Sequence, residues 1–187
     1  LILGSVTDQL VRTVTCPLLI VPPVSGNRFA DGSEPFRFKN ILIGCDFSAD
    51  SKRALDYGLS LAQDFQANLH LVYVIEPIAY RDALLPGTVY EKIQADAYEQ
   101  YDRKLRDLVP EEAHQWCDIS VRCLAGRPFE ELVSYAEPAA IDLIILGVRG
   151  HGLMETMLLG ATTDRVIRRA KCPVLSVRPQ QQMLQKG

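Results

Sequence analysis

The sequence predicts an α/β fold, a doubly wound five-stranded parallel sheet with helices on both faces. From residue 40 onward, short apolar runs alternate five times with longer amphipathic segments, the pattern of consecutive βα units. The apolar runs are short and nearly continuous, as in strands that are buried on both faces. With 187 residues, 48% of them apolar and 23% charged, the chain can form one α/β domain with about 40 residues to spare.

The first half of this pattern begins with a strand predicted at Ile41–Cys45. Ser48 is suited to cap the helix that follows, and Asp50 lies in its first turn. A helix is predicted because apolar or small residues recur at spacings of three and four: Ala54, Gly58, Leu61 and Phe65. A second strand is predicted at Leu69–Ile75.

The middle of the chain contains a proline-bearing loop over residues 76–88 and then a longer helix. This helix is predicted over Tyr90–Leu108, and Pro110 ends it. Its apolar face is formed by Ile93, Ala97, Tyr101, Leu105 and Leu108. The alternating segment Trp116–Leu124 predicts a strand nearer the sheet edge.

The last two βα units complete the pattern. A helix is predicted over Pro128–Ala136, and the most apolar run, Leu143–Gly147, predicts a central strand. A second helix is predicted over Thr162–Ala170, and Pro173–Val177 predicts the closing strand.

The chain contains an internal repeat. Residues Leu3–Val21 align without gaps on Leu159–Val177 at an offset of 156, with nine of 19 positions identical. We therefore interpret residues 1–24 as the closing helix and strand of a first repeat, followed by a linker at 25–38 with the composition of a loop. Residues 39–178 then form a complete domain, and 179–187 a polar tail.

Composition excludes several classes of function. A formal net charge of −3 with no dominant basic stripe argues against nucleic-acid binding. No apolar run approaches the roughly 18 residues of a membrane span, and no leader is visible, so a cytoplasmic protein without membrane contact is expected. The five cysteines include no C-x-x-C pair, which favours a reduced protein without a metal site of its own.

Ligands of doubly wound sheets bind beyond the strand carboxyl ends, which directs attention to the loops after Cys45, Ile75 and Leu146. Asp46 leaves the first strand and can accept hydrogen bonds from ribose hydroxyls or hold a metal on phosphates. The fourth strand is followed by a glycine-bearing loop that ends at a helix N-terminus, an arrangement suited to phosphates. Its candidate residues are Gly147, Gly150, Gly160, Thr162 and Thr163. Taken singly, such glycines can be tight turns and such an aspartate a cap.

The strand pattern, Asp46, the G-x2-G-x9-G spacing from Gly147 to Gly160 and the closing CPVLSV strand together resemble the universal stress protein family. The resemblance covers Lys39–Arg178, and also residues 1–21 as the tail of a preceding copy. It implies strand order 3-2-1-4-5, the adenine nucleotide alpha hydrolase-like class, and pairing of two domains across a twofold. In one branch of the family it also implies ATP at the strand ends.

Residue by residue, the resemblance implies that Asp46 contacts the ribose and that the backbone of Val74 contacts adenine. Leu146 and Gly147 then lie beside ribose and phosphates, and Gly150 and Gly160 are phosphate glycines. The family has Ser or Thr directly after the last glycine, whereas this chain has Ala161, which keeps only its backbone N–H. The neighbouring Thr162 and Thr163 retain hydroxyls.

Arg149, inside the glycine loop, is hypothesised to reach the γ-phosphate; the alternative is a solvated loop arginine. In the family, closing strands pair across the twofold. We therefore expect Leu18–Val21 to lie against Val174–Val177, within the chain or in a neighbouring one.

Three functions compete. The first is a stress-response regulatory module that binds ATP as Mg-ATP, or ADP or AMP, and acts through a homodimer or a pseudo-dimer with a second such domain. Asp46 is the only general base evident, so at most slow ATP hydrolysis is expected. The second is a nucleotide-free dimeric scaffold, which Ala161 favours. The third is a related nucleotide-hydrolysing or adenylating enzyme, which the lack of a glycine pair after the first strand disfavours.

Overall fold

The computed structural model describes residues 5–14, 16–23, 37–76, 87–148 and 159–178, without the side chains of residues 5–8 and 87–90. Its strands are β1 (Leu18–Ile20), β2 (Asn40–Gly44), β3 (Asn68–Ile75), β4 (Ile119–Ala125), β5 (Leu143–Gly147) and β6 (Val174–Val177). Its α-helices are α1 (Ser5–Thr13), α2 (Ala49–Phe65), α3 (Gly87–Arg106), α4 (Pro128–Ala136) and α5 (Ala161–Arg169).

All strands belong to one sheet of order β1-β6-β5-β2-β3-β4. Strands β2 to β6 are parallel to one another and have the predicted 3-2-1-4-5 order, so the predicted fold class is confirmed. The sequence predicted a five-stranded sheet, whereas the observed sheet has six strands because β1 joins it. It pairs antiparallel with β6, with Leu18 opposite Ser176 and Ile20 opposite Val174. This is the pairing that the sequence predicted, and it lies within the chain.

Two hydrophobic cores lie on the two faces of the sheet. On one face, Ile41, Ile43, Leu69 and Leu71 pack against α2 and against Leu105 of α3. On the other face, Leu42, Val72 and Ile144 of the sheet pack against three helices, which contribute Leu132 of α4, Val166 of α5 and Val11 of α1. Because successive side chains of a strand point to opposite faces, β2 contributes to both cores and is buried on both sides.

Two elements differ from prediction by more than one residue. The third βα unit has its strand at 119–125 rather than 116–124, because a short 3₁₀ helix occupies Glu111–Gln115 and pairing with β3 begins only at Ile119. The helix predicted over 90–108 runs from 87 to 106. The predicted linker lies almost wholly outside the described residues, as does the tail at 179–187. No described helix is long and apolar enough to cross a membrane.

Candidate functional site

The carboxyl ends of β2, β3 and β5 open into a cavity of about 970 Å³. This volume is at the upper end of the usual range for small-molecule sites. The cavity lies where the strand order reverses, since β2 is flanked by β3 on one side and β5 on the other. The three loops singled out in the sequence therefore begin at one cavity.

Eight of the ten predicted site residues line this cavity: Asp46, Val74, Leu146, Gly147, Gly160, Ala161, Thr162 and Thr163. Arg149 and Gly150, the other two, lie outside the described residues. Residues that are more than 100 positions apart in the chain thus meet because parallel strands present their carboxyl ends at one edge.

Asp46 has a local structural role in addition to its position at the cavity. Its Oδ1 accepts a hydrogen bond of 3.0 Å from the Ser48 N–H, closing the turn between β2 and α2. Ser48 caps α2 as predicted, because its hydroxyl oxygen accepts a hydrogen bond of 3.1 Å from the Ser51 N–H. These bonds fix the carboxylate at the cavity wall.

Val74 presents its backbone to the cavity. The last backbone hydrogen bond at this end of the β2–β3 pair runs from the N–H of Cys45, the residue after β2, to the Val72 carbonyl, at 2.8 Å. Backbone groups of alternate residues point to the same side of a strand, so those of Val74 also point toward β2. The chain has by then turned away into α2, and no backbone partner for Val74 on that side occurs among the described residues. One donor and one acceptor are therefore available to a ligand.

The requirement for glycine at position 147 comes from packing within the protein. A Cβ there would lie 2.7 Å from the backbone carbon of Asp50 and 2.9 Å from the Ser51 nitrogen. The sequence interpretation, that this glycine clears space for a ligand, is therefore incomplete, because the space is already taken by the first turn of α2. The close contact brings the end of β5 and the start of α2 together at the cavity floor.

The N-terminus of α5 faces the cavity with three backbone N–H groups that have no intrahelical partner, those of Ala161, Thr162 and Thr163. The N–H of Gly160 does not join them, since it donates to the Val148 carbonyl at 2.7 Å. The Thr163 hydroxyl donates to the Gly147 carbonyl at 2.8 Å. Its proton is therefore not available to a phosphate, contrary to the prediction. The helix terminus therefore offers its three N–H groups and the Thr162 side chain to the cavity, but not the hydroxyl proton of Thr163.

The charge at this helix end also suits an anion. Asp164 in the first turn of α5 would repel one, but both of its oxygens accept hydrogen bonds from Arg168 Nε, at 3.1 and 3.0 Å. This pairing one helical turn apart offsets the carboxylate charge. The positive end of the helix dipole therefore dominates near the three N–H groups.

Comparison with known proteins decides the family. The profile of the universal stress protein family matches residues 37–178. The chain belongs to the universal stress protein family. Universal stress protein MJ0531 of Methanocaldococcus jannaschii is 32% identical over 142 residues, which cover 75% of this chain and 82% of that relative. Universal stress protein Slr1230 of Synechocystis sp. is 28% identical over 178 residues, covering 94% of this chain and 52% of that relative. The chain therefore spans about half the length of Slr1230.

Solved structures of the family have the same fold. The structure of MJ0577, from Methanocaldococcus jannaschii, gives a TM-score of 0.66 at 25% identity and covers 76% of this chain and 96% of that one. The crystal structure of a universal stress protein in complex with cAMP gives a TM-score of 0.55 at 26% identity and covers 76% and 98%.

In this universal stress protein domain, the sequence interpretation missed one wall of the cavity. Phe47, Tyr73 and Tyr101 form an aromatic cluster, with ring centroids 5.0 Å apart for Phe47 and Tyr73 and 4.4 Å apart for the two tyrosines. Burial raises the pKa of Tyr73, and its hydrogen bond with Tyr101 raises that pKa further. A signal existed, because Ile93, Ala97 and Tyr101 of the apolar face predicted for α3 line the cavity, whereas Leu105 of the same face is buried in the core.

Metal binding by protein side chains alone has no support in the described residues. No group of three or more His, Cys, Asp or Glu side chains is placed there to hold an ion. The thiol of Cys45 is buried at the end of β2, and burial raises its pKa. It therefore packs as a small apolar side chain.

Proposed function

We propose that this protein is a regulatory universal stress protein that binds an adenine nucleotide, ATP as Mg-ATP or else ADP or AMP, in the cavity at the strand ends. The observation that carries the proposal is that one cavity joins the unpaired backbone of Val74 to the unpaired N–H groups of α5. The former suits a base and the latter suit phosphates. The cAMP complex of a relative that is 26% identical over 76% of this chain supports it.

Each predicted residue has a definite part in this proposal. The Val74 N–H and carbonyl bond the ring nitrogen and amino group of adenine, and the Asp46 carboxylate accepts from a ribose hydroxyl. The N–H groups of Ala161 and Thr162 bind phosphate oxygens beside Leu146 and Gly147. Arg149, Gly150 and Gly160 belong to the same phosphate loop, with Arg149 directed to the γ-phosphate. Magnesium is supplied with the phosphates of the nucleotide.

The proposal includes at most slow ATP hydrolysis. The carboxylates that line the cavity within the described part of the chain are Asp46 and Glu76. Asp46 already accepts a hydrogen bond from the Ser48 N–H, so one of its oxygens is engaged in the turn before α2. A protein that keeps its nucleotide suits regulation in the cytoplasm better than turnover. The five cysteines, none in a disulfide, are consistent with that compartment.

The proposal extends to domain organisation: residues 1–24 are the closing helix and strand of a first repeat, and 39–178 are a complete domain. In the alignment at an offset of 156, some residues that are exposed in the first copy correspond to residues that are buried in the second. Leu10 and Val21 are 43% and 47% exposed, whereas their equivalents Val166 and Val177 are 0% exposed. A second domain, in a pseudo-dimer or homodimer, would cover this surface. The alignment of 94% of this chain with about half of Slr1230, and so of residues on both sides of the linker, is consistent with this organisation.

A nucleotide-free dimeric scaffold is the second candidate, and two observations favour it. Ala161 lacks a hydroxyl at the helix N-terminus, and the hydroxyl proton of Thr163 is committed to Gly147. In that case the pairing of β1 with β6 would be the functional feature.

Titration calorimetry of Mg-ATP against the wild-type protein and Asp46→Asn tests the proposal. Asparagine keeps an oxygen for the Ser48 N–H, so the turn remains, but the charged acceptor for ribose is lost. We expect affinity to fall about 10- to 100-fold. Asp56→Asn, on the exposed side of α2, is the matched control and should bind as wild type. A wild-type protein that fails to bind millimolar Mg-ATP would favour the scaffold instead.

A further inference from the structure

The aromatic wall of the cavity, defined as Phe47, Tyr73 and Tyr101, has no part in the proposed nucleotide contacts. All three side chains are half-buried and line the cavity. The ring of Tyr101 also stacks with that of Phe47, at 5.9 Å between centroids and an interplanar angle of 26°. Partly exposed rings that already contact one another offer a preorganised surface to another planar ring.

The backbone at Phe47 supports a role for this wall beyond packing. Phe47 has φ of 64°, in the left-handed region that bulky residues rarely adopt. Such strain persists where the surrounding structure holds it, and it concentrates at ligand sites. With the backbone in this left-handed conformation, the Phe47 ring contacts the Tyr73 ring.

The wall lies on a different face of the sheet from the core that contains the Val74 side chain. Tyr73 and Phe47 pack against the core beneath α2 and α3, whereas Val74 belongs to the core beneath α4 and α5. The N-terminus of α5 belongs to the same face as Val74. The cavity therefore extends over the end of β2 from one face to the other, which leaves room for two ligand groups.

Lys104 supplies a charge beside the wall. Its Nζ lies 5.3 Å from the centroid of the Tyr101 ring, and it has no acidic partner within the described residues. The nearby carboxylate of Asp102 is held by Arg106 Nε at 2.7 Å, so it does not neutralise Lys104. Asp46 and Glu76 also line the cavity, at the strand ends, and would repel an anion placed there. An anionic group is therefore favoured on α3, beside Lys104.

We propose that the aromatic wall and Lys104 form a second subsite, which binds a planar aromatic anion, such as an aryl carboxylate or sulfonate, beside the nucleotide. The aromatic rings of the ligand pack against the side chains of Tyr101 and Phe47, and the anionic group of the ligand pairs with the Lys104 ammonium. This subsite does not depend on nucleotide binding and would exist in the scaffold as well.

Two fluorescent probes that share their rings but differ in charge test the subsite. They are 1-anilinonaphthalene-8-sulfonate and its uncharged analogue N-phenyl-1-naphthylamine, titrated with and without saturating Mg-ATP. We expect Lys104→Gln to weaken the sulfonate about 3- to 10-fold and to leave the uncharged probe unchanged. Lys92→Gln, an exposed lysine of α3 outside the cavity, is the control and should change neither.

The aromatic contribution is tested separately. Tyr101→Leu should weaken both probes about 3- to 10-fold, whereas Tyr57→Leu, an exposed tyrosine of α2, should weaken neither. Far-ultraviolet circular dichroism establishes that each variant is folded, and if Tyr101→Leu is not, the Lys104 comparison alone decides.

The outcomes separate this inference from the proposed function. Probe binding that depends on Lys104 and persists with Mg-ATP bound supports a second subsite. Displacement of the sulfonate by Mg-ATP, or equal loss for both probes in Lys104→Gln, would overturn it. A protein that binds the sulfonate through Lys104 but binds no ATP would refute the proposed function and leave the subsite standing.

Discussion

Ala161 is the residue at which this chain departs from the Ser or Thr implied by its family. It is the first residue of α5, and its side chain is exposed. Its N–H faces the cavity, so a serine there would add one hydroxyl donor for a phosphate without disturbing the core. The departure therefore affects one hydrogen bond and leaves the site otherwise intact.

We predict that Ala161→Ser tightens ATP binding about 2- to 10-fold, because a hydroxyl–phosphate hydrogen bond contributes roughly 0.5–1.5 kcal/mol. Ala161→Gly, which keeps the N–H but adds no hydroxyl, is the control. Adenosine lacks phosphates, so its affinity should be the same for both variants in calorimetry. A serine variant that binds ATP no better than wild type would place the phosphates away from α5.

His70 lies in β3, away from the cavity, and its Nδ1 is 2.9 Å from the hydroxyl oxygen of Tyr135. Burial lowers the pKa of His70, and the charge of Arg122 lowers it further. Well above pH 6.5, the usual histidine pKa, His70 is neutral in both the folded and the unfolded chain, and its contribution to stability is constant.

As the pH falls below 6.5, the unfolded chain binds the proton first, so the free energy of unfolding falls until the pH passes the folded-state pKa. We predict that His70→Asn loses less stability than wild type between pH 7 and about pH 5. Urea denaturation at each pH measures this, and the carboxylates that titrate in both proteins cancel in the comparison. If the free energy of unfolding had the same pH dependence in wild type and His70→Asn, the lowered pKa of His70 would be contradicted.

At the scale of elements, the best-predicted parts of the chain were those whose signals are local. Ser48 began α2 as expected, and the apolar run Leu143–Gly147 became the buried strand β5. The start of β4 was not predictable, because it depends on tertiary contacts. The Leu69 N–H bonds the Asp118 carbonyl, and the Cys117 thiol donates to the Ala67 carbonyl at 3.1 Å.

The pairing of β1 with β6 was predictable because the repeat identified both strands and the resemblance to the family implied that such closing strands pair. Ile20 is 7% exposed and joins the core that contains Val174, whereas its neighbour Leu19 is 46% exposed. The Arg178 guanidinium also donates to the Val11 carbonyl, which ties α1 to the same edge. The segment is therefore attached by one buried face and a short ladder.

We predict that Ile20→Asp detaches this segment, because a buried unpaired carboxylate is strongly unfavourable. Amide hydrogen exchange over Leu18–Ile20 should then accelerate about 10-fold or more, while β2 and β5 keep their protection. Leu19→Asp adds the same charge at the exposed position and should change exchange little. Equal protection in the two variants would show that burial of Ile20 does not hold β1.

At the scale of the whole molecule, the candidate site follows from topology. The alternation of strands and helices predicted a parallel sheet, and the sheet brings the carboxyl ends of β2, β3 and β5, where the three loops begin, to one cavity. The hydrogen bonds and ring contacts of individual side chains could not be predicted, because they depend on residues that are neighbours in space but distant in the sequence. The Thr163 hydroxyl bonds Gly147, and the aromatic wall forms only when α3 packs beside β3.

The proposed function requires that the protein bind an adenine nucleotide in this cavity. The most direct test is to denature the protein and identify any released small molecule by chromatography and mass spectrometry. We expect ATP, ADP or AMP in amounts approaching one per chain. A protein that releases none and that also fails to bind millimolar Mg-ATP would contradict it.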